Sequence, residues 1–247
     1  MKLKLTIAKK LGLGFGVLTL AVLFNTILTY NTLEKSRKTS DEVIKIYSPS
    51  VSKLADLYSL VSDSKMLIKT WVYIDKMSND TPGKIKLRKI HRKDFPELRQ
   101  KLNILSEKWT EEQREKLKII YKTVNDTLFE EHKDIMSQLM SFEDYEDTMV
   151  QFELNTRVDP GSQIMILTEK VLENISFLKK QNSEKVEEAM KNMELSFNDF
   201  QNLVFIMGFV LVIGAIITAL FTTNSLVRPI NYVKEIIFNM SKVKRYF

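Results

Sequence analysis

Two uninterrupted apolar runs frame the chain, with a long amphipathic region between them. Leu11 to Leu33 contains 23 consecutive uncharged positions, which as a helix reach about 35 Å and exceed the roughly 30 Å of a bilayer's hydrocarbon layer. The second run lies between Asp199 and Arg228, and its most apolar stretch, Leu203 to Phe221, reads LVFIMGFVLVIGAIITALF. Lipid offers no water to backbone groups, so both runs are predicted to be membrane-spanning helices. The first reads as a retained anchor: it is long and lacks a small-x-small cleavage site near its end. Its Gly12 and Gly16 form a G-x-x-x-G spacing, a pattern that lets two helices approach closely.

Between the runs the hydrophobic repeat is helical. Val43, Tyr47, Ser50, Leu54, Leu57, Val61, Ser64, Ile68 and Trp71 follow at steps of four and three, predicting one helix over 34–77 with a single buried stripe. Ser78-Asn-Asp-Thr-Pro-Gly83 has turn composition. A basic segment, 84–93, leads to Asp94-Phe-Pro-Glu97, which has the form of a new helix start with Asp94 as cap, followed by Phe95, Leu98, Leu102, Leu105 and Trp109 on one face. Thr110-Glu-Glu-Gln113 is a capping box opening a third helix through Leu117, Ile120, Val124, Leu128, Ile135 and Leu139. That helix is expected to bend or break near the acidic run 142–147, because its partner, 84–108, is shorter. After Asp159-Pro-Gly161, an eleven-residue repeat from Ile164 to Val204 carries one face straight into the second apolar run.

The expected fold is therefore all-α: two transmembrane helices flanking an up-down-up-down four-helix bundle. The parts are a basic N-terminus (1–10), a first span (11–33), the bundle (34–202), a second span (203–225) and a terminal helix (226–247). Composition agrees, since 7 Gly and 5 Pro in 247 residues are too few for a turn-rich β fold. The absence of Cys excludes disulfides, thiolate metal sites and Cys nucleophiles.

Charge sets the orientation. Residues 1–10 carry four Lys and no acid, 34–202 carry 28 basic and 30 acidic side chains, and 203–247 carry five basic residues against Glu235. The basic excess flanks the two spans and forms no stripe on the middle domain, so a nucleic-acid partner is not expected. Lys185 and Lys191 precede the second span while five Lys and Arg follow it, which places both termini in the cytoplasm and the bundle outside it.

Within the bundle, 84–101 holds eight Lys and Arg against two acids, and 143–153 holds five acids without a base. Mutual pairing is one expectation; a pocket of Arg88, His91 and Arg92 for an anionic ligand is the other. His91 and His132 are expected on exposed helix faces without a neighbouring nitrogen ligand, so no metal is expected, and no catalytic or cofactor-binding constellation is found. Trp71 reads as packing.

Beyond the second span come Pro229 and the stripe Ile230, Val233, Ile237 and Met240. This stretch resembles the first helix of a HAMP domain, and the full order of elements resembles the N-terminal sensory region of a bacterial four-helix-bundle methyl-accepting chemotaxis protein or sensor histidine kinase. The resemblance implies a two-pass receptor of the bacterial inner membrane. It would act as a parallel homodimer without catalysis, sense an extracytoplasmic ligand, and deliver to an output module absent from this chain. After Met240, SKVKRYF replaces the usual HAMP turn. The competing class is a membrane-anchored tether or accessory subunit that binds another protein through its bundle.

Overall fold

A computed structural model describes residues 7–77 and 79–243; Lys2, Lys4, Ser78, Lys244 and Arg245 lie outside them. The protein is all-helical, with 91% helix and, among the described residues, no strand. The described residues form ten α-helices in order: α1 (Ile7–Glu42), α2 (Ser48–Tyr73), α3 (Pro82–Lys89), α4 (Phe95–Ser106), α5 (Glu111–Thr123), α6 (Phe129–Ser137), α7 (Phe142–Glu146), α8 (Thr148–Val158), α9 (Gln163–Thr222) and α10 (Arg228–Val243). Contacts divide the chain into a unit of 1–38 with 191–247 and a unit of 39–190.

Four π-helical turns, Val43–Tyr47, Ile90–Asp94, Val124–Leu128 and Thr223–Val227, join helices that would otherwise be separate. Three of them stand just before a proline: Pro49, Pro96 and Pro229. A proline ring clashes with the carbonyl four residues back and has no proton to donate. The helix widens to meet this, and the residue before each proline donates five residues back: Ser48 to Val43, Phe95 to Ile90 and Arg228 to Thr223.

This corrects the expected start at Asp94. The second helical segment begins earlier, where the Thr81 hydroxyl accepts from the Lys84 amide and Pro82 occupies the first turn. Asp94 keeps helical dihedrals and makes no cap. The basic residues 84–93 are therefore helical. The first segment is interrupted at 43–47 and ends at Tyr73.

The unit 39–190 has one core. Leu54, Val61, Ile68, Leu102, Ile120, Ile135, Leu154, Ile175 and Leu178 are all completely buried. Antiparallel neighbours are fixed by polar pairs at their edges. Trp109 Nε1 donates to Ser50 Oγ at 3.0 Å and Lys86 pairs with Asp63 at 2.7 Å, so α2 runs against α3 and α4. Lys65 pairs with Glu169, while Gln113 Nε2 donates to Gln181 Oε1 at 3.0 Å, setting α9 beside α2 and α5. The Thr110–Gln113 capping box forms, with Gln113 Oε1 accepting from the Thr110 amide. The third helical segment ends at Ser137, before the acidic run. Ser141 then caps α7, and Asp147 caps α8 by accepting from Met149 and Val150.

In the other unit, α1 and α9 pack closely at glycines. A Cβ on Gly14 would stand 3.3 Å from the Thr218 side chain, and one on Gly214 would stand 3.0 Å from Leu18. Gly12 and Gly16 have open space beside them, so this contact does not use the G-x-x-x-G pair. Thr19, Thr26, Thr218 and Thr222 turn their hydroxyls onto carbonyls four residues back. Two helical stretches are long and apolar enough to cross a membrane, and neither apolar window is buried within the chain, unlike the core helix of a soluble domain.

Ser50, one of the two buried serines in the α2 stripe, has a specific task. Its hydroxyl accepts from Trp109 and donates to the Ile46 carbonyl at 2.6 Å. Ser50→Ala strands a buried indole N–H and is expected to cost about 1–3 kcal/mol in denaturant titrations, and less in a Trp109→Phe background. Equal losses in both backgrounds would remove the hydrogen bond from the account.

Candidate functional site

One polar constellation lies where α6, α8 and the start of α9 meet. Asp159-Pro-Gly161 reverses the chain, and Gly161 takes φ +96°, a conformation that side chains with a Cβ rarely adopt. The reversal sets Arg157, at the end of α8, beside Ser162 and Gln163. The Arg157 guanidinium donates to Glu131 at 2.5 Å and to Asp134 at 2.7 Å, and Glu153 stands 4.0 Å away. Burial pulls its proton affinity down, but the hydrogen bonds to Glu131 and Asp134 outweigh this and hold it above the ordinary value. Next to this pair is a cavity of about 430 Å³ lined by Thr127, Glu131, Thr156, Arg157, Ser162, Gln163, Ile164 and Leu167.

A second cluster surrounds Lys84, which is only 3% exposed. Its ammonium donates to the Met77 carbonyl and to Tyr145 Oη at 3.0 Å, and lies 4.9 Å from the Trp71 ring centroid. Burial lowers its proton affinity, Asp75 and Asp80 oppose that, and Arg88 adds to it. Burial likewise raises the Tyr145 phenol to about 12. Through Lys84 the turn after α2 and the short helix α7 share one cation. Trp71 is buried packing and also the π face for Lys84 and Arg88.

The third cluster corrects the expectation of two exposed histidines. His132 is 1% exposed, and its Nδ1 faces His91 Nε2 at 3.3 Å; the His91 ring stacks on Phe129 with centroids 4.0 Å apart. His132 Nε2 is buried without a partner. A proton on His132 Nδ1 leaves Nε2 a bare acceptor, whereas the other tautomer strands an Nε2–H donor in the core; burial therefore favours His132 as donor to His91. Burial, then Lys133, push the His91 proton affinity down to about 4, with Glu130 opposing and Arg92 reinforcing the shift. Burial and His91 lower His132 as well.

Arg88, His91 and Arg92 do not share a partner. Arg88 pairs with Asp80 and covers Trp71, His91 turns into the core, and Arg92 is exposed. Nor do the basic and acidic segments form the expected ion pairs among the described residues. Lys86, Arg88 and Lys89 pair with Asp63, Asp80 and Asp94, while Asp144 and Asp147 serve as caps. The link between the two segments is the Lys84–Tyr145 hydrogen bond. In α10, which begins at Arg228 with Pro229 in its first turn, Ile230, Val233, Ile237 and Met240 are 53–66% exposed. Among the described residues, no group of three or more His, Asp or Glu could hold a metal ion. Comparison with family models, curated proteins and solved structures finds no match to this chain.

The histidine pair makes stability depend on pH. Folded His91 binds its proton below the ordinary value of 6.5, so the unfolded chain takes up more protons between about pH 6.5 and 4. The contribution is complete above that window and is lost on acidification, at up to about 1.4 kcal/mol per pH unit for each histidine. Denaturant titrations from pH 7.5 to 5 should show a flatter slope for His132→Phe than for wild type; equal slopes would contradict the neutral pair.

Proposed function

We propose that this chain is the sensory portion of a two-pass membrane receptor. Its helices α2 to α9 form an up-down-up-down bundle outside the cytoplasm, α1 and α9 carry the spans, and both termini are cytoplasmic, as in a bacterial inner-membrane receptor. The reading rests chiefly on α9. One helix, Gln163–Thr222, contains both the buried face from Ile164 to Leu178 and the apolar stretch from Leu203 to Phe221. A stimulus acting on the first part has a hydrogen-bonded path to the second. A ligand shifts such a receptor only by the difference between its affinities for two arrangements, and a small translation, tilt or rotation of α9 would distinguish them.

The HAMP-like reading of α10 is supported by Pro229 at its start and by a stripe that stays exposed among the described residues. Such a stripe suits a parallel homodimer, in which the second copy covers it. A tether has no need of it. Single cysteines at 230, 233, 237 and 240 should crosslink between copies in native membranes, and cysteines at 231 and 234 should not. Uniform or absent crosslinking would favour the tether. In a chimera with an output module, a Gly-Pro insertion beside Asn198 should abolish signalling without affecting membrane insertion.

A further inference from the structure

We propose that the cavity beside Arg157 is a binding site for a small organic cation, an ammonium group on an apolar body. Two independent features mark it. The first is the cavity, about 430 Å³, with a polar side of Glu131, its ion-paired partner Arg157, Thr127 and Ser162 and an apolar wall of Ile164 and Leu167. The second is the π-helical turn Val124–Leu128 that supplies Thr127. Unlike the other three it is followed by Phe129-Glu-Glu, not by a proline, so nothing in the local sequence requires it. Unforced π-helical turns occur frequently where a helix is shaped around a site.

The sign of the ligand follows from the charges. Glu131 and Arg157, the two charged residues that line the cavity, balance each other, while Asp134 and Glu153 also lie against the guanidinium and leave the cluster with two net negative charges. The start of α9 contributes at most about half a positive charge, and it is already capped, with Ser162 Oγ accepting from the Met165 amide. An anion would have to displace a carboxylate from Arg157. A cation instead finds the Glu131 oxygen that Arg157 leaves free, while Ile164 and Leu167 cover its apolar part. Such a ligand bridges α6 to the first turn of α9. That the bridge is read as a signal rests on the receptor proposal; binding itself does not.

The test uses the full chain in lipid nanodiscs, with phenethylamine as cation, 2-phenylethanol as its uncharged analogue and phenylacetate as anion. Calorimetry should show saturable binding of phenethylamine alone. Glu131→Gln should weaken it at least tenfold, and Leu167→Trp, which fills the apolar side while keeping every charge, should abolish it; circular dichroism checks that both variants fold. Binding of phenylacetate in place of phenethylamine, binding of none of the three, or unaltered affinity in both variants would overturn the proposal. Binding without any signal in the chimera would leave the site standing and count against the receptor reading.

Discussion

A backbone amide with no water to turn to must find its acceptor inside its own helix, and this constraint organises the protein. It accounts for the helical form of the two apolar stretches, which are long and apolar enough to cross a membrane, where no other geometry would satisfy the chain. It also explains why prolines do not end the helices that carry them. At Pro49, Pro96 and Pro229 the chain widens by one residue and bonds five positions back, so helical hydrogen bonding passes through each site. The threonines near the apolar stretches follow the same logic, bonding to carbonyls of their own helix.

Much of the fold is legible in hydrophobic periodicity. The α2 stripe from Val43 to Trp71 is buried except at Tyr47, which is half-buried, and the Thr110 capping box opens α5. The α9 face is buried to Asn182 except at Leu167, which is half-buried, and becomes half-exposed or exposed beyond it. What periodicity misses is how a helix answers a proline. Asp94-Phe-Pro has the form of a helix start, but Thr81 and Pro82 had begun that segment, and the π-helical turn carried it past Pro96. Local pattern alone does not distinguish a proline that starts a helix from one absorbed by it.

The candidate site was less legible, for an identifiable reason. His132 fills the gap between Leu128 and Ile135 in the α6 stripe, and His91 sits midway between Leu87 and Phe95, so the spacing did mark both as inward-facing; their charged neighbours obscured it. Lys84 lies three positions before Leu87 on the same face. Arg157 offers no such signal. Its partners Glu131 and Asp134 lie 26 and 23 positions earlier, and it is the break after Ser137, between α6 and α8, that brings them together. Short-range rules read faces; they do not read which faces meet.

The receptor reading depends on α9 being one helix through lipid, and a spin-label scan over 190–222 in nanodiscs tests this most directly. Accessibility to dissolved oxygen should oscillate with a period of about 3.6 residues without a break, while accessibility to a water-soluble nickel reagent falls to a minimum near 208–216. A loss of periodicity around 198–204, or nickel access at 208–216, would contradict it.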